Sequence, residues 1–88
     1  MQLLTNSDAA TGASFEITRP DQFFTFYAYG NFDGAQVRLE VSPYGGVWFD
    51  TAILLDAKGA QNVEFRAKAV RAIVEGGTEE TSITAHLL

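Results

Sequence analysis

The clearest pattern in the chain is a strict alternation. Ala35, Val37, Leu39 and Val41 are apolar, while Gln36, Arg38, Glu40 and Ser42 between them are polar. A period of two sends these sets to opposite faces of an extended backbone, so the segment is predicted to be a strand with one buried and one wetted face. Residues 81–87 alternate in the same way after a Gly76-Gly77 turn, with Thr81, Ile83, Ala85 and Leu87 on one side. Residues 22–29 are rich in β-favouring aromatics and stop at Gly30-Asn31-Phe32-Asp33-Gly34. Asp-Gly is a strong turn signal, so this strand and the one beginning at Ala35 are predicted to pair as a hairpin. Pro43-Tyr44-Gly45-Gly46 then turns the chain into residues 47–52, and Ile53-Leu54-Leu55 leads to a second turn at Asp56-Ala57-Lys58-Gly59.

Residues 62–75 carry two patterns at once. Val63, Phe65, Ala67 and Ala69 alternate with Glu64, Arg66 and Lys68, as in a strand. Glu64, Lys68, Arg71 and Glu75 also stand at helical spacing, with Asn62 as N-cap and Gly76 just past the end. Two strands with a break near Lys68-Ala69 are the preferred expectation, because the surrounding elements are all β; a single helix is the alternative. Residues 1–14 show little periodicity beyond Leu3 and Leu4 and are expected to form an N-terminal arm or an edge strand. The predicted fold is all-β: a small antiparallel β-sandwich, jelly-roll-like or immunoglobulin-like, formed as one domain by residues 15–88.

Composition narrows the function classes. The chain has 88 residues, six Lys and Arg against eleven Asp and Glu, and a formal charge of −5. That balance opposes a phosphate-binding surface, which needs clustered cations, so no nucleic-acid partner is expected. The absence of cysteine excludes disulfides and thiolate metal sites, leaving packing or a neighbouring subunit to stabilise a small core. No apolar run reaches the roughly 18 residues of a membrane span, and the first residues lack a signal-peptide pattern, so the expectation is a soluble protein made in the cytoplasm.

Candidate chemistry is sparse. His86 is the sole histidine, and a metal site or nucleophile relay would need partners that the sequence does not hold. Asp33, Asp50, Glu79 and Glu80 are available for acid–base work, but a chain of this length is a poor builder of the cleft that shifts a carboxyl pKa. No calcium-loop motif occurs, and Gly45-Gly46 is too short to cradle a phosphate. No catalytic, cofactor-binding or metal-ligating residue is therefore assigned, and no cofactor is expected. The aromatics do stand out: of seven Phe and three Tyr, five lie between Phe23 and Tyr29, on both parities of one strand. Such a strand needs cover on both faces, either from the fold and the N-terminal arm or from a partner protein.

Two stretches carry a resemblance. Leu39-Glu40-Val41-Ser42-Pro43-Tyr44-Gly45-Gly46-Val47-Trp48 and Ala69-Val70-Arg71-Ala72-Ile73-Val74-Glu75-Gly76, followed by a Thr/Ser-rich last strand, resemble small β-sandwich virion proteins of tailed bacteriophages. The 42–48 turn also looks like a degenerate Asp-box hairpin, from which it departs by having Tyr44 in place of the acidic residue. The phage resemblance implies a non-enzymatic structural protein of the virion, either a capsid decoration (cement) protein or a neck or tail accessory protein. It further implies a homo-oligomer, such as a trimer, that binds the major capsid protein. The expected contact residues are Leu3 and Leu4 in the arm, Phe23, Tyr27 and Tyr29 on the aromatic strand, and Tyr44 and Trp48 at the glycine turn. The alternative is a carbohydrate-binding or adhesive module using Trp48, Tyr44 and Asp50.

Overall fold

The computed structural model describes residues 1–7, 10–11, 14–18, 23–44 and 46–88, with residues 6, 7, 10 and 11 described by their backbone alone. Gln22 and Gly45, which belong to an expected strand and an expected turn, lie outside the described residues, as do 8, 9, 12 and 13 of the N-terminal segment. The strands are β1 (Gln2–Ser7), β2 (Ala10–Thr11), β3 (Phe15–Glu16), β4 (Phe23–Asn31), β5 (Gln36–Ser42), β6 (Phe49–Leu55), β7 (Gly59–Glu64), β8 (Ala69–Glu75) and β9 (Ser82–Leu87). No helix occurs among the described residues.

The strands form two antiparallel sheets. The first runs β1-β9-β4-β7; the second runs β2-β8-β5-β6, with β3 beside β8 on the same flank as β2. Taking β2 and β3 as one interrupted edge strand, the pairings nest: β1 with β9, β2/β3 with β8, β4 with β7, and β5 with β6 innermost. This nesting is jelly-roll topology, which resolves the choice between jelly-roll and immunoglobulin-like connections.

The sandwich is closed by inward side chains from both sheets. Phe26, Ile83 and Leu87 of the first sheet and Val37, Leu39 and Val70 of the second are fully buried. Each contributes about 1.5–3 kcal/mol relative to an exposed side chain. The stacked pair Phe24 and Phe65, with ring centroids 5.4 Å apart, fills one end. The two-strand expectation for residues 62–75 is realised as β7 and β8; the break at 65–68 carries the chain from the first sheet to the second.

Two expectations change. The Asp33-Gly34 turn forms, with both residues at positive φ and the Ala35 N–H donating to the Phe32 carbonyl at 2.8 Å, but it closes no hairpin. β4 lies between β9 and β7 while β5 lies between β8 and β6, so the turn passes the chain from one sheet to the other. The apolar faces of both strands then meet across the core, which a flat hairpin would not achieve. The second change concerns Leu3 and Leu4, both 3% exposed and part of the core. A register shift opposes Gln2 to His86 and Leu4 to Ala85, and this bulge turns two consecutive leucines inward. Residues 2–7 are thus an edge strand integral to the sandwich, and Leu3 and Leu4 are not surface contact residues.

Candidate functional site

β4 separates its aromatics by parity. Phe24, Phe26 and Ala28 point into the core, whereas Phe23, Tyr27 and Tyr29 stand outward at 64%, 39% and 46% exposure. Neither the second sheet nor the described part of the N-terminal segment covers that outward row. Neighbouring strands extend the surface through direct cross-strand partners: Glu64, Asn62 and Ala60 of β7 oppose Phe23, Thr25 and Tyr27, and His86 and Thr84 of β9 oppose Tyr27 and Tyr29. Thr25 donates its hydroxyl hydrogen to Asn62 Oδ1 at 2.9 Å, and the Tyr29 and His86 rings stack with centroids 6.0 Å apart. Leu88 bonds Thr25 through both backbone groups, at 2.8 and 3.0 Å, and adds an exposed apolar side chain.

Two open depressions mark this face, one of about 450 Å³ bordered by Phe23, Thr25, Asn62, Glu64 and Leu88. The other, of about 390 Å³, is bordered by Tyr27, Tyr29, Lys58 and Ala60. They flank a ridge of rings rather than forming a cleft, so the surface suits contact with another surface more than enclosure of a small molecule. Each large ring offers on the order of 150–250 Å² for burial, and the Tyr hydroxyls supply polar handles.

Tyr44 and Trp48 belong elsewhere. They follow β5 at the end of the second sheet, away from the β4 aromatics. Tyr44 is exposed, and its carbonyl accepts a hydrogen bond from the buried Ser42 hydroxyl. Trp48 is half-buried, with the Arg71 guanidinium 4.2 Å from its ring centroid, so one ring face is already occupied. The outer face of this sheet is a charge network: Arg38 reaches Glu40 at 3.0 Å, Glu75 at 2.5 Å and Asp50 at 3.4 Å, and Arg71 reaches Glu40 at 2.7 Å. Burial alone would raise the Glu40 pKa, but the hydrogen bonds from Arg71 and Arg38 outweigh it and hold the carboxyl below its usual range.

Two of the carboxylate candidates hold local structure. Asp33 accepts a hydrogen bond from the Thr78 hydroxyl, and Asp50 Oδ1 accepts one from the Ala52 N–H at 3.0 Å. The Glu80 carbonyl accepts from Asn31 Nδ2 at 2.7 Å, stitching together the two chain crossings at that end. Among the described residues, no group of three or more His, Cys, Asp or Glu is placed to hold a metal ion. The aromatic row was readable from β4 parity, but the contributions of Asn62, Lys58 and Leu88 were not, because nothing local indicates that β7 and the chain end flank β4.

Compared with known protein families, with characterised proteins and with solved structures, the chain matches none, so the reading of this face rests on its own residues.

Proposed function

We propose that this chain is a non-enzymatic assembly protein that binds a protein surface through the outer face of its β1-β9-β4-β7 sheet. In the setting suggested by the phage resemblance, it is a virion structural protein that decorates and stabilises the capsid. The observation that carries this reading is the exposed row Phe23, Tyr27 and Tyr29 on one sheet face, extended by the exposed Leu88. Tyr and Phe are enriched at the centres of protein interfaces, and contiguous exposed apolar patches mark such sites. Jelly rolls serve as capsid and lectin domains alike, so topology is compatible with this role without selecting it. A standard interface buries on the order of 1,600 Å², and many copies around a shell turn modest individual affinities into a large total stabilisation.

A second reading, glycan binding, draws on the same face, where uncharged hydrogen-bonding groups such as Thr25 and Asn62 flank the rings. The Trp48 turn supports it less, since Arg71 covers the indole and Asp50 is engaged by Arg38. Pelleting the protein with empty shells of the major capsid protein from the same genome, alongside calorimetric titration with cell-surface polysaccharide, separates the two. Saturable pelleting without heat from the polysaccharide is the expected result. Saturable glycan binding with no pelleting would replace the protein-binding reading.

A further inference from the structure

We infer that the β7 edge joins a second copy of this chain, extending the first sheet across a twofold axis. The sandwich has four edges, and three are unsuited to strand addition. β1 carries two register shifts along its pairing with β9. The β2/β3 edge changes register by one residue along β8, from Thr11↔Ile73 to Phe15↔Val70. β6 has a register shift opposite Arg38 to Glu40 and places Ala52 at φ +64°. Bulges and interruptions of this kind are how sheets block edge-to-edge pairing.

β7 has none of these devices. It pairs with β4 without a register shift from Phe23↔Glu64 to Ala28↔Gly59, and it contains no proline. Its other side presents a regular ladder of backbone donors and acceptors.

Charge selects a second copy as the occupant. Lys58, in the turn just before β7, and Glu64, its last residue, are both exposed on the outer face, where Lys58 borders the Tyr27 depression and Glu64 the Phe23 depression. When two β7 strands run antiparallel with Gln61 opposite Gln61, Asn62 meets Ala60 and Lys58 meets Glu64 of the other copy, twice by symmetry. The interface is isologous and self-complementary, so it closes as a dimer instead of propagating. The aromatic rows of both copies then lie on one continuous face. This pairing does not depend on what binds that face.

The test is sedimentation velocity at low ionic strength, with circular dichroism to confirm folding. Wild type is expected to be dimeric at high micromolar concentration. Lys58→Glu and Glu64→Lys each place like charges opposite one another and should weaken dimerisation by about tenfold or more. Mixing the two single variants restores both opposite-charge pairs, so the mixture should dimerise although each variant alone does not. The double variant Lys58→Glu/Glu64→Lys should regain wild-type dimerisation. A monomeric wild type, or a dimer indifferent to both single substitutions, would overturn the inference while leaving capsid pelleting unaffected.

Discussion

Gly30 shows how a single atom constrains this fold. Its φ is +120°, and a Cβ there would stand 2.1 Å from the Ser82 carbonyl oxygen, across the β4–β9 pairing. Gly34 also has a positive φ, of +83°, but a Cβ would meet nothing within 4 Å. Gly34→Ala should therefore lower stability by about 1 kcal/mol from backbone strain alone. Gly30→Ala should lose at least about 3 kcal/mol or fail to fold, because backbone must move as well. Urea unfolding of the two variants provides the comparison; equal losses would contradict the close approach at Ser82.

Glu40 is the corresponding residue for electrostatics, accepting hydrogen bonds from Arg38 at 3.0 Å and from Arg71 at 2.9 Å. Its carboxyl is more acidic in the folded chain than the unfolded value of about 4.3. The stability it adds is present above that unfolded value and is lost as pH falls through the lower folded one. Glu40→Gln should cost about 1–2 kcal/mol near neutral pH, and the gap from wild type should narrow on acidification below about pH 4. Thermal unfolding across pH 2–7 measures this, and a gap that stays constant would remove Glu40 as the source.

At the scale of elements, β1 separates a detachable arm from a structural strand. Deleting residues 1–7 removes Leu3 and Leu4 from the core, and buried leucines lost to cavities are worth about 2–5 kcal/mol each. The truncated chain should be unfolded or much less stable; unchanged stability with altered oligomerisation would instead restore the arm. The sequence showed β5 and β9 plainly because their polar and apolar residues alternate without interruption. It left the N-terminal segment open between an arm and an edge strand, because a bulge puts adjacent Leu3 and Leu4 on one face and breaks the alternation that identifies a strand. It also made β4 and β5 look like a hairpin. Asp33-Gly34 specifies a tight turn, but the sheet that receives the next strand is decided by pairings of β5 with β8 and β6, both distant in sequence or formed later in the chain. The candidate site divided along the same line. The parity of Phe23, Tyr27 and Tyr29 is local and was legible, whereas the separation of Trp48 onto the other sheet depends on that crossing.

At the scale of the whole molecule, the two sheets present unlike outer faces. One carries ion pairs among Arg38, Glu40, Asp50, Glu75 and Arg71, and the other carries aromatic rings bordered by Thr25, Asn62, Lys58 and Glu64. The ion pairs of the charged face close within one chain, although Leu54 beside Arg38 and Phe49 on the same β6 strand are also exposed. The aromatic face remains exposed even though the core beneath it is closed by Phe26, Ile83 and Leu87. We therefore propose that the aromatic side is the binding surface, and protein assembly through it is the claim to test. The direct test is co-sedimentation of wild type and Tyr27→Ser/Tyr29→Ser with empty capsid shells, using the folded variant as judged by circular dichroism. Wild type should pellet to saturation, and the variant should remain in the supernatant, with affinity reduced by roughly tenfold or more. Equal pelleting of both proteins, or no pelleting of either, would contradict the claim.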